Sequence, residues 1–82
     1  MFGIELTDTS KKFLKKLPKK EAELILKRIY SIRENPYRFL KKLQGDKLWR
    51  LRVGNYRAII DVIISINKII VVRIGHRKNI YF

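Results

Sequence analysis

Arginine recurs at 50, 52 and 57 within the stretch LWRLRVGNYR, residues 48–57, and a second basic cluster, Gly75-His76-Arg77-Lys78, comes shortly before Tyr81. A guanidinium stays charged at any working pH and offers planar, paired donors that match a phosphate. His76, the single histidine, has the one side chain here whose ordinary pKa lies near neutrality. The phenol of Tyr81, or of Tyr56, can stack on a base or donate a proton. Such groups can cleave RNA without a metal. The nucleophile is then the RNA's own 2′-hydroxyl. A base removes its proton, cations hold the charge that grows on the phosphorane, and an acid protonates the leaving 5′-oxygen.

Other chemistries lack their residues. With one histidine, no cysteine and seven scattered carboxylates, there is no ligand spacing for zinc and no carboxylate pairing for two-metal catalysis. No nucleophile elbow or glycine-rich phosphate loop is present. No cofactor or metal is therefore expected. Plainer roles compete at each position. Arg57 and Asp61 share a strand face and can pair. A lone histidine near a strand end is more often structural than catalytic. Arg73 reads as a surface or partner-facing charge, and Trp49, alternating with Leu51 and Val53, reads as core. The lysine pairs at 11-12, 15-16, 19-20 and 41-42 read as solvated or partner-facing charge. From composition alone, plain binding ranks ahead of catalysis.

The elements that must position these groups fit one domain, residues 1–82. Residues 2–6 alternate as a short strand, and any of residues 7–10 can cap a helix over 10–17. Pro18 opens a second helix over 19–34, where Ala22, Ile25, Leu26, Ile29 and Ile32 recur at spacings of three and four. Asn35-Pro36 ends it. Residues 37–47 form a connector anchored by Phe39, Leu40 and Leu43. Strands follow at 48–53, 56–64 and 69–75, joined by a tight turn at Gly54-Asn55 and a turn near 65–68. The class is α+β, in the order β-α-α-β-β-β: an antiparallel sheet with two helices packed on one face. Trp49, Leu51 and Val53 face one way, and Arg50 and Arg52 the other. Arg73, Gly75 and Arg77 share a face from which His76 points away. The apolar runs around 63–72 imply that the far end of the middle strands is buried on both faces or covered by a partner.

Charge names the partners. Twenty Lys and Arg against seven Asp and Glu give +13, with a pI near 10.4. Such a field draws polyanions: nucleic acid first, an acidic protein second, a membrane surface a weak third. The start of the chain has no signal-peptide character, and no apolar run could span a bilayer. An intracellular, cytoplasmic, soluble protein is expected.

The combination of Leu43-x-Gly45, then 48–57 as quoted, then Ile74-Gly75-His76-Arg77-Lys78-Asn79-Ile80-Tyr81 resembles the RelE/ParE toxin superfamily. It is most similar to the RelE branch in its short archaeal-type form, and the likeness runs over essentially the whole chain. The resemblance implies a RelE-like fold and the toxin of a type II toxin–antitoxin pair. It implies a metal-free endoribonuclease that cuts mRNA in the ribosomal A site, leaving cyclic or 3′-phosphate and 5′-hydroxyl ends. It also implies neutralisation by a cognate acidic, RelB-like antitoxin. The family's first two basic active-site positions, usually lysines, fall on Arg50 and Arg52, and its later arginines on Arg57 and Arg77. Its aromatic proton-handling residue falls on Tyr81, and His76 stands where some relatives carry a catalytic histidine and others a lysine. Arginines at 50 and 52 are poor bases, so the base is His76 or Tyr81, or activation is purely electrostatic. The chain also stops short of the C-terminal helix that many relatives carry. Two other readings stay open: a ParE-like inhibitor of DNA gyrase, and a basic RNA-binding module without catalysis.

Overall fold

The computed structural model describes residues 1–45 and 47–76. The elements are β1 (Gly3–Leu6), α1 (Asp8–Lys15), α2 (Lys19–Ser31), β2 (Lys41–Lys42), β3 (Trp49–Val53), β4 (Tyr56–Ile63) and β5 (Lys68–His76). Thr7 caps α1, its hydroxyl accepting from the Ser10 N–H at 3.2 Å. Asp8 in the first turn and Lys12 and Lys15 in the last complement the helix dipole. Pro18 stands at the start of α2. That helix ends at Ser31, short of the expected residue 34, because the N–H groups of Ile32 and Arg33 bond back to the carbonyls of Ile29 and Tyr30 in a tighter turn. A further tight turn, Pro36–Arg38, follows.

The sheet order is β1-β5-β4-β3-β2. Strands β3 to β5 are antiparallel neighbours, as expected, and β2 adds antiparallel to β3, while β1 lies parallel to β5, so the five-stranded sheet is mixed. A parallel pair needs a long connection, and here the helices and three strands supply it. The connector over 37–47 is not wholly irregular, since β2 within it pairs Lys41 with Arg50 and Lys42 with Trp49. At the β3–β4 hairpin Val53 pairs with Tyr56. Gly54 takes φ +57° while Asn55 stays at negative φ, the pattern of a two-residue turn with glycine first.

Strand β5 carries one irregularity with large effect. Its pairing with β4 steps from Ile59–Arg73 to Ile60–Val71, leaving Val72 as the extra residue of a β-bulge. Before the bulge, Ile69 and Val71 enter the core; beyond it, Ile74 does. Were Val72 paired like its neighbours, strict alternation from Ile69 would send Arg73 to the helices and Ile74 outward. The cap of α1 holds the bulge in place. Thr7 Oγ1 donates to the Val72 carbonyl at 2.7 Å, and the fully buried Ser10 donates through Oγ to the Val71 carbonyl at 2.8 Å. The Val71 carbonyl accepts from the Thr7 N–H as well, at 3.2 Å, so main-chain and side-chain donors of the cap together serve the two carbonyls at the bulge.

The core lies between helices and sheet. Ile25, Ile29 and Ile32 of the α2 segment and Leu14 of α1 pack on Leu51, Val53, Ala58, Ile60, Ile69, Val71 and Ile74. Each such burial contributes on the order of 1.5–3 kcal/mol. The far end of the middle strands is not buried on both faces: Ile64 and Ile66, in the turn Ile64–Ile66, are 65% and 59% exposed. That turn closes on Asn67 at φ +52°, a left-handed position asparagine tolerates. Among the described residues no helix is long and apolar enough to cross a membrane.

Candidate functional site

With both helices on one face, the other face of the sheet is left to charged side chains. Strand alternation turns Arg50 and Arg52 outward. Cross-strand register then sets Arg50 beside Lys41 and Ile59, Arg52 beside Arg57, Ile59 beside Arg73, and Arg57 beside Gly75. Four strands thus contribute to one cationic surface, and the bulge at Val72 is what brings Arg73 onto it. Ile59 is buried yet lies outside the helix-side cluster. Its neighbours on the outer face, Arg50 and Arg73, have aliphatic stems long enough to cover it.

Lys41, Arg50, Arg52 and Arg57 converge, with Phe39, on a depression of about 270 Å³. Arg57 is half-buried and its Nε is buried, whereas Arg52 is exposed. A guanidinium partly withdrawn from water acts more strongly on a nearby anion than one in bulk solvent. None of the lining residues is a carboxylate. Such an arrangement can hold a phosphate through paired donors and can stabilise charge growing on it. Ammonium and guanidinium groups offer donors and no acceptor.

The structure does not bring His76 to this depression. His76 pairs with Tyr56 across β4 and β5, on the helix side of the sheet. Its ring centroid is 5.0 Å from that of Tyr56, and Phe13 of α1 stands edge-on to both at 6.1 Å. The Tyr56 hydroxyl donates to Glu21 Oε1 of α2 at 2.8 Å. That hydrogen bond first, then burial and the Glu21 charge, raise the phenol above its ordinary value. Tyr56 therefore ties the β3–β4 hairpin to α2 as a protonated donor. Trp49 is half-buried at the sheet edge, 5.1 Å from the Tyr37 ring and 5.0 Å below Lys42 Nζ. Arg77 and Tyr81 lie outside the described residues.

Two members of the depression escaped sequence reasoning. Lys41 looked like one of several solvated lysine pairs, and Phe39 like an anchor of the connector. A two-residue strand is too short to show alternation, so only its pairing with β3 reveals that Lys41 shares a face with Arg50.

A helical pair lies on one side of the β1-β5-β4-β3-β2 sheet and a basic depression on the other, an α+β arrangement of the RelE-like fold. A family model for the ParE toxin of type II toxin–antitoxin systems matches residues 4–81. The chain belongs to this toxin family, within the RelE/ParE superfamily. The RelB–RelE antitoxin–toxin complex from Methanococcus jannaschii contains a chain 32% identical, with 95% of this chain and 98% of that one covered and a TM-score of 0.72. The archaeal RelE–RelB complex from Pyrococcus horikoshii aligns with a TM-score of 0.80 at 24% identity, covering 96% and 98% of the two chains. The RelBE2 toxin–antitoxin complex from Mycobacterium tuberculosis aligns with a TM-score of 0.85 at 22% identity, covering 93% and 98%. These last two show a shared fold. No curated protein matches the sequence significantly.

Proposed function

We propose that this toxin is an mRNA endoribonuclease that acts in the ribosomal A site without a metal. The convergence of Lys41, Arg50, Arg52 and Arg57 on one depression of the open sheet face carries this reading. These cations grip the scissile phosphate and hold the charge of the phosphorane while the RNA 2′-hydroxyl attacks. Because His76 faces the helices, proton handling falls to the residues after β5, with Tyr81 first and Arg77 as a further phosphate ligand. A cognate acidic, RelB-like antitoxin keeps the protein silent. The RelE chains it resembles were solved with RelB partners, and a charge of +13 favours an acidic one.

Inducing the protein in cells and mapping mRNA 5′ ends tests this. Codon-phased cuts that disappear with Arg52→Ala and Arg57→Ala are expected. The family-model match to ParE toxins favours one second reading, a ParE-like gyrase inhibitor. Toxicity with intact mRNA and altered DNA supercoiling would replace the first reading with that one.

A further inference from the structure

We propose that Phe39 is a stacking platform for one unpaired base of the bound RNA, set at the rim of the phosphate-holding depression. Singly exposed aromatic residues are common and mean little alone. Phe39 differs in its mount and its neighbours. The residues on either side of its turn, Pro36 and Leu40, are buried, while Phe39 itself is 39% exposed. The N–H groups of Phe39 and Leu40 both bond to the Pro36 carbonyl at 3.1 Å. The backbone is thus pinned by two buried anchors while the ring is held out of the core. The ring lines the same depression as Lys41, Arg50, Arg52 and Arg57. Two more guanidiniums lie over the ring, Arg28 at 4.9 Å and Arg38 at 5.7 Å from its centroid, and a stacking base takes the place of one of them.

A fixed aromatic face among backbone-neutralising cations is the arrangement by which proteins hold single-stranded nucleic acid, base on ring and phosphate on cation. Stacking accepts any base, since every base has a π-face, so Phe39 adds grip and alignment rather than sequence choice. An extended acidic peptide would use the cations but offers a planar group only where it carries an aromatic side chain, whereas every nucleotide brings one with its phosphate, which is why RNA is the favoured occupant. The inference rests on the RNA-binding reading above and adds a residue to it.

Two short single-stranded RNAs with equal numbers of phosphates separate the two ideas. One carries 2-aminopurine at a central position, whose fluorescence is quenched by stacking; the other is abasic there. The wild-type protein is expected to prefer the intact strand by about fivefold to a hundredfold and to quench it. Phe39→Ala and Phe39→Leu should lose both preference and quench while binding the abasic strand as the wild type does, with the same salt dependence. Phe39→Trp should keep both. Leucine preserves apolar bulk, so it serves where alanine fails to fold. Equal binding of the two strands by the wild type overturns the stacking role and leaves RNA binding standing. So does a preference that survives in Phe39→Leu. Binding of neither strand overturns both readings.

Discussion

At the scale of single residues, the outer arginines divide cleanly from the helix-side aromatics, and the division can be measured. Each of Arg50, Arg52 and Arg57 that contacts an RNA phosphate releases counterions on binding. Replacing one with alanine should lower the slope of log affinity against log salt by about 0.7, read from titrations at several ionic strengths. Arg52→Lys should keep the slope but lose cleavage rate, because an ammonium lacks the planar fork. His76→Ala should leave cleavage and salt slope unchanged and lower the melting temperature, since it removes a ring packed on Tyr56. Loss of cleavage in a well-folded His76→Ala protein would restore the histidine to the chemistry. Tyr56 gives a pH prediction. Its folded-state pKa is raised above the ordinary value of 10.0, so the folded chain keeps the phenol proton to higher pH than the unfolded one. The bond to Glu21 then stabilises fully below pH 10 or so and is lost as pH climbs through the folded value. Urea midpoints should fall above that pH in the wild type and not in Tyr56→Phe. The outward aim of Arg50 and Arg52 was legible because β3 alternates without interruption. The stacking of His76 on Tyr56 was not, because it depends on how β5 registers with β4.

At the scale of elements, the order of strands and helices could be read from proline, glycine and apolar spacing, and the exceptions have identifiable causes. Apolar spacing runs to Ile32 and Asn35-Pro36 set the expected end at residue 34, yet α2 gives way to a tighter turn after Ser31. The parallel placement of β1 left no local mark, since its pairing partner lies at the other end of the chain. The bulge was hidden because Val71 and Val72 are both valines and either suits the core. Gly54→Ala should cost about 1–2 kcal/mol, the penalty of a side chain at positive φ, although open space surrounds the new methyl group. Chemical unfolding would measure it. Deleting Val72 should be worse for folding than for function. It restores regular pairing between β4 and β5, keeps Ile69, Val71 and Ile74 inward and Arg73 outward, and removes the carbonyl that accepts from Thr7. Thermal melts together with the RNA titration would show stability lowered and affinity retained.

At the scale of the whole molecule, composition gave the sign and size of the charge but not its geography. A net +13 on a body of 34 × 26 × 22 Å resists its own compaction, and anything polyanionic that binds only the folded state relieves it. A single-stranded polyanion at a hundred times its dissociation constant should stabilise by about 2.7 kcal/mol. For a domain of this size that raises the melting temperature on the order of 10–20 °C. Thermal melts with and without polyuridylate would show the rise, and high salt, or Arg52→Ala with Arg57→Ala, should shrink it. The sheet order also bears on the chain's birth. Strand β1, the first element made, pairs with β5, the last of the described strands, and the Thr7 and Ser10 hydroxyls find their acceptors there too. Synthesis runs from the N-terminus, so neither the first strand nor the Thr7 and Ser10 bonds to the bulge can lock until residues 68–76 have emerged. Residues 1–76 must therefore all emerge before the arginine face is complete, and a waiting antitoxin would meet an unfinished fold before it met an armed one.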